Sequence, residues 1–194
     1  LTVSYTNNIN AGTATASASY VETENYMGST DSKTFTIAKA PTVTTVSCES
    51  GPFTYNGSAH TPCSASVTGP GLSQSLTVSY TSNINAGTAT ASASYVETEN
   101  YMGSTDSKTF TIARANQVIN PTTPAPASAV FNKTFTVAAS GGDSGNAVVI
   151  TTSGSCSGSG NNSANIVMTS GTGSCTVRYN QAGNENYNPA AQVV

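Results

Sequence analysis

The stretch Leu1–Ala40, LTVSYTNNINAGTATASASYVETENYMGSTDSKTFTIAKA, decides how the rest of the chain is read. It returns at Leu76–Ala115, 75 positions later, with two changes: Asn7 becomes Ser82 and Lys39 becomes Arg114. A near-verbatim copy in phase is the mark of tandem duplication of one small structural unit. Leu1, Val3 and Tyr5 alternate with Thr2 and Ser4, the period-two pattern of a half-buried strand. Asn7-Asn8-Ile9-Asn10-Ala11-Gly12 reads as a turn, since Asn and Gly tolerate positive φ. From Thr13 to Tyr20, Ala alternates with Thr and Ser. Ala is the best helix former, but hydroxylated residues at every second position cost helix propensity, and the flanking strands decide for β. Val21–Thr30 is predicted as a polar loop around Glu24-Asn25-Tyr26, and Lys33–Ile37 as the closing strand.

Residues 41–75 supply what the first copy lacks. Val43–Cys48, Phe53–Gly57 and Cys63–Thr68, followed by the turn Gly69-Pro70-Gly71, add two or three short strands. Six or seven strands in about 75 residues, with frequent turn signals, is the pattern of a β-sandwich. Val43, Phe53, Val67, Leu76, Val78, Tyr80, Ala91, Ala93, Tyr95, Phe110 and Ile112 are its expected core. Residues 116–194 keep the grammar with other letters. Strands are predicted at Gln117–Ile119, Phe135–Ala138, Ala147–Thr151, Asn165–Thr169 and Ser174–Tyr179. Pro121, Pro124 and Pro126 are placed in a first loop, and Ser153–Ser163 in a surface turn holding Cys156. Glu-Asn-Tyr recurs there as Glu185-Asn186-Tyr187, fourteen residues after Gly173 as Tyr26 follows Gly12. The joints Ile37–Pro41 and Ile112–Asn116 contain no Gly/Ser linker, which predicts limited bending.

With Tyr55-Asn56-Gly57, Asn85-Ala86-Gly87-Thr88 and Asn100-Tyr101, residues 1–115 resemble the Ig-like tandem repeats of very large bacterial cell-surface and secreted proteins. Residues 116–194 resemble a related surface repeat ending in Gln181-Ala182-Gly183-Asn184-Glu185-Asn186-Tyr187, in which Cys156 and Cys175 stand where a bridge is expected. The resemblance implies a fold and a surface setting, and brings no catalytic residues.

Composition bounds the function. Charged residues make up 8% of the chain, and the formal net charge is −3. Its six Lys and Arg are scattered, so they form no phosphate-neutralising stripe, which argues against nucleic acid. No apolar run is long enough for a transmembrane helix. The four cysteines, Cys48, Cys63, Cys156 and Cys175, allow three pairings. A staple within each small unit selects Cys48–Cys63 and Cys156–Cys175 and points to an oxidising, extracytoplasmic compartment. Metal binding is the rival reading, opposed by the absence of CxxC spacing and by a single histidine, His60.

Other constellations have plainer readings. Gly142-Asp143-Ser144-Gly145 matches the nucleophile loop of chymotrypsin-like proteases, but a triad needs a His base, the only His lies in another unit, and a unit of about 80 residues cannot hold that two-barrel fold. Glu22, Glu24 and Asp31, repeated as Glu97, Glu99 and Asp106, could offer oxygen ligands to calcium, yet their spacing fits no calcium loop. Lys33 and Lys108 read as edge-strand lysines rather than isopeptide donors. Asn56, Asn132 and Asn161 open glycosylation-type triplets that arise readily in Ser/Thr-rich sequence. Glu-Asn-Tyr is expected to fold its Tyr onto the unit while Asn bonds local backbone.

The chain is thus expected to be all-β: tandem small Ig-like β-sandwiches in a linear array. Residues 1–40 are the C-terminal half of one repeat, 41–115 a complete repeat, and 116–194 a diverged repeat with its last strand cut short. The expected role is structural, a stalk, fibre or filament segment at the cell surface or outside the cell, with neighbouring repeats or copies of itself as partners. It is read as no enzyme, with no cofactor. Alternatives are an adhesin binding a glycan or protein, and a filament subunit polymerising by strand complementation. Half-units at both ends favour a window from a longer chain over strand donation.

Overall fold

The computed structural model describes all of residues Leu1–Val194 and contains strands, turns and loops without a helix. The first copy forms β1 (Val3–Thr6), β2 (Gly12–Tyr20) and β3 (Ser29–Ile37), an antiparallel sheet in that order. The Ala-rich run is β2 along its whole length. Its small side chains sit opposite larger ones, Ala14 against Phe35 and Ala16 against Lys33, so alternating bulk fills the sheet face. β3 begins at Ser29, inside the stretch expected to be loop.

Residues 41–115 contribute β4 (Val43–Cys48), β5 (Phe53–Thr54), β6 (Cys63–Gly69), β7 (Leu72–Leu76), β8 (Ser79–Thr81), β9 (Gly87–Tyr95) and β10 (Ser104–Ala113). β4, β6 and β7 make one antiparallel sheet, and the other has the order β5-β10-β9-β8, with β5 parallel to the end of β10. β4 faces inward through Thr44 and Val46, which is 1% exposed, whereas Val43 is 61% exposed. The expected core place of Val43 is therefore corrected. Val43 and Val46 stand an odd number of residues apart, so a period of two cannot bury both.

In residues 116–194 the strands are β11 (Asn120–Thr123), β12 (Thr134–Ser140), β13 (Val148–Gly154), β14 (Cys156–Ser157), β15 (Gly160–Asn161), β16 (Ser163–Met168) and β17 (Cys175–Gln181). Sheets β11-β12-β16-β14 and β15-β13-β17 share one hydrophobic cluster that includes Val137, Ala164 and Ile166 from the first and Val148, Ile150 and Val177 from the second. Three expectations fail here. The first strand starts at Asn120 rather than at Gln117, and it includes Pro121. Proline is tolerated because β11 is an edge strand whose register shifts between Pro121 and Thr123. Ser153–Ser163 is also no simple surface turn: it holds the end of β13, β14 and β15, and Cys156 is buried.

By its internal contacts the chain divides into two compact units. One holds Leu1–Glu49, Thr61–Thr81 and Thr90–Thr109; the other holds Ser50–His60, Ser82–Ala89 and Phe110–Val194. The passage from Ala40 into Pro41 lies inside the first and that from Ala115 into Asn116 inside the second.

Candidate assembly interface

The end of the first copy meets a loop of the second. Between β9 and β10, Thr98 N–H donates to Tyr101 O (3.0 Å) and Tyr101 N–H to Thr98 Oγ1 (3.2 Å), closing a turn with Asn100 at its tip. Asn100 Oδ1 accepts the Ala11 N–H at 2.7 Å, and its Nδ2 donates to Asn10 Oδ1 at 3.1 Å. Ala11 is presented by a turn bounded by Asn7 (φ 54°) and Gly12 (φ 140°), a conformation that requires residues tolerant of positive φ. The backbones also join. Ala40 N–H donates to Asn100 O (2.8 Å) and Met102 N–H to Ala40 O (2.9 Å), a parallel bridge between Ala40 and Tyr101. Lys39 Nζ donates to Glu97 Oε1 and to Thr98 O. Side chain, backbone and charge thus hold the same few residues.

The arrangement recurs at Asn186. Asn184 N–H donates to Tyr187 O (3.0 Å), and Asn184 Oδ1 accepts the Tyr187 N–H (2.9 Å). Asn186 Oδ1 accepts the Ala86 N–H at 2.8 Å, and its Nδ2 donates to Asn85 Oδ1 at 3.2 Å. Ala115 N–H donates to Asn186 O (2.9 Å) and Asn188 N–H to Ala115 O (2.8 Å). The Tyr187 ring meets Tyr55 edge-on, centroids 5.5 Å apart.

One difference explains a substitution between the copies. Aligning Asn100 with Asn186 sets Glu97 against Gly183, so no carboxylate stands there. A Cβ on Gly183 would lie 2.2 Å from Tyr187 O, which leaves no room for one. Arg114, where the first copy has Lys39, donates through Nε to Glu185 O instead.

Two buried glutamines stand behind the Asn186 loop, Gln117 bonding it directly and Gln181 bonding the neighbouring Gly142–Asn146 loop. Gln117 Nε2 donates to Ala182 O (3.0 Å) and Asn188 O (2.9 Å), while its Oε1 accepts the Ser144 N–H (3.1 Å). Gln181 Oε1 accepts the Gly142 N–H, and its Nε2 donates to Gly142 O and Asn146 O. With their amides satisfied, burial of these side chains orders both loops they touch. This is the employment of the protease-like stretch Gly142–Gly145: Ser144 Oγ donates to Ala182 O, with no imidazole among its partners. A Cβ on Gly142 would lie 2.5 Å from Gln117 Cβ, so the glycine is required by close approach.

The remaining site expectations fall as follows. Cys48 is bonded to Cys63, directly across from it on paired strands β4 and β6. Cys156 is bonded to Cys175, linking β14 in one sheet to β17 in the other. The acidic residues are not gathered: Glu97 pairs with Lys39, and Asp106 Oδ2 accepts the Val46 N–H at 2.8 Å. That bond is the main cause holding the Asp106 carboxyl below its ordinary pKa of 3.8; burial opposes it, and the Ser107 N–H and Lys108 charge assist. Burial, then Asp143 and Tyr55, push Tyr187 above the usual phenol value. No three His, Cys, Asp or Glu side chains converge as a metal site, and no helix is long and apolar enough to cross a membrane.

Asn100 and Asn186 were expected to bond local backbone, and the structure corrects this: their side chains reach residues 89 and 100 positions away. The available signal was the survival of Glu-Asn-Tyr in residues 116–194, where most other letters have changed. No protein-family model, curated protein or solved structure matches the chain.

Proposed function

We propose that the chain is a structural segment of a long extracellular or cell-surface repeat protein, a stalk, fibre or filament. Residues 41–115 and 116–194 are Ig-like β-sandwiches, and residues 1–40 are the C-terminal half of another. The observation that carries this reading is the same asparagine clamp at both joints, Asn100 on Asn10-Ala11 and Asn186 on Asn85-Ala86. A chain of loosely tethered modules would have no use for a joint built twice to one plan. The mechanism is mechanical. Each clamp hydrogen bond contributes roughly 0.5–1.5 kcal/mol, and the Lys39–Glu97 pair about 0–1 kcal/mol. A cystine of a small domain contributes roughly 2–5 kcal/mol. The joints are held by hydrogen bonds and one ion pair, whereas each stapled module also carries a covalent link. The hydroxyl-rich, weakly charged surface offers little for nonspecific partners to hold. Both disulfides agree with an oxidising compartment.

The test is the double variant Asn100→Ala, Asn186→Ala, measured by small-angle X-ray scattering. A broader distribution of molecular dimensions, with circular dichroism unchanged, is the expected result. Scattering identical to that of the parent chain would sink the mechanical role of the clamp.

A further inference from the structure

A third copy of the clamp loop is present and holds nothing. Thr23 N–H donates to Tyr26 O (2.9 Å), as Thr98 N–H does to Tyr101 O, and Tyr26 N–H donates to Thr23 O (3.3 Å) where Tyr101 N–H uses Thr98 Oγ1, so Glu22–Met27 is closed into a turn over the same residues as Glu97–Met102. Asn25, at its tip, makes no hydrogen bond and is exposed, as are Glu22 and Met27. Tyr26 is exposed; its counterpart Tyr101 donates from its hydroxyl to Pro70 O (2.8 Å) in the 41–75 stretch, a contact separate from the clamp.

We infer that Glu22–Met27 is a docking site for the C-terminal end of a further repeat of the 41–115 type. This rests on the clamp reading above and names the partner of its open copy. Both engaged loops show what the occupant must carry. It needs an Asn-Ala-Gly turn that offers its Ala N–H to Asn25 Oδ1 and its Asn side chain to Asn25 Nδ2. It needs a last strand ending in Ala, whose N–H and C=O bridge Asn25 O and Met27 N–H. A basic residue just before that Ala, Lys39 or Arg114 in the copies here, complements Glu22 as Lys39 complements Glu97. A Tyr at the position of Tyr55 then meets the Tyr26 ring, as Tyr55 meets Tyr187. Neither turn of this chain can fill the site: Ala11 N–H is taken by Asn100 and Ala86 N–H by Asn186. The occupant is therefore a repeat beyond these, with its turn free.

The test compares two extensions of the full chain. In the short one, residues 41–75 are placed ahead of Leu1, completing the first copy. In the long one, residues 41–115 precede that addition and supply the turn and strand end. Amide hydrogen exchange is read at Met27, with Met102 as the engaged reference in the same sample. Met27 is expected to exchange about tenfold or more slowly in the long extension than in the short one, approaching Met102. Asn25→Ala in the long extension should return it to the faster rate. A Met27 rate equal in both extensions, with Met102 protected, overturns this docking site and leaves the two existing clamps standing. Free exchange at Met102 overturns the clamp reading itself.

Discussion

Residues 1–40 and 76–115 differ at two positions, yet the structure treats them differently. Phe35 is 42% exposed, and its counterpart Phe110 is 7% exposed. Leu1, Val3 and Tyr5 are exposed, where Leu76, Val78 and Tyr80 are half-buried. Around the second copy, residues 41–75 close the face: Tyr80 Oη accepts the Cys63 N–H and donates to Cys63 O, both at 2.9 Å, and Thr44 Oγ1 donates to Ser104 O. Asp106 reaches across to Val46, whereas Asp31 accepts only from its neighbour, the Ser32 N–H. Local strand structure agrees in both copies to within one residue at two strand ends, because alternation and turn residues suffice to set it. Burial is a property of what lies opposite.

The comparison can be broken at its most buried point. Phe110→Ala is expected to destabilise the second copy by about 3–5 kcal/mol. Phe35→Ala, at a half-exposed site, should cost about 1 kcal/mol. Residue-resolved hydrogen exchange separates the two; equal losses would mean that the first copy has a cover of its own.

Acid sharpens the contrast between Asp106 and Asp31. Asp106 has a folded pKa below its ordinary 3.8, so its contribution to stability is present above pH 3.8 and is lost as pH falls through the lower folded value. The Val46 amide should therefore lose protection in that acid window, and Asp106→Asn should remove the dependence. Asp31→Asn should leave the Val46 amide unchanged. A Val46 amide indifferent to pH in the parent chain would refute the assignment.

The smallest effect concerns one of the two differing letters. Asn7 and Ser82 share a left-handed conformation, φ 54° and 55°. Asn is at ease there and Ser less so, and Ser82→Asn should stabilise the turn before β9 by about 0.5 kcal/mol. Thermal unfolding with the reverse change, Asn7→Ser, as control checks the sign.

Much of the architecture was legible from one-dimensional pattern. Thr/Ser alternating with Ala in residues 13–20, and turns rich in Asn and Gly, were enough to place β2 and β9. Errors fell where a strand's phase or partner mattered. Val suits either face of a strand, so pattern alone does not keep Val43 outside, and only the sheet opposite selects Thr44 and Val46. Pro121 reads as loop from sequence, which does not say which strand lies at an edge. The protease-like loop stands out in sequence by its serine, while its support comes from Gln117 and Gln181, whose amides have no recognisable motif.

Composition and periodicity by themselves determined an all-β chain, its 75-residue repeat and its thin, small-residue strands, since these follow from steric preferences of each residue and its near neighbours. Tertiary structure alone decided which of two nearly identical faces is covered and what the Glu-Asn-Tyr asparagine grips. An amide side chain bonds whichever donor and acceptor the fold brings within about 3 Å. For Asn100 and Asn186 those groups come from residues far off in sequence, and no local pattern encodes that distance.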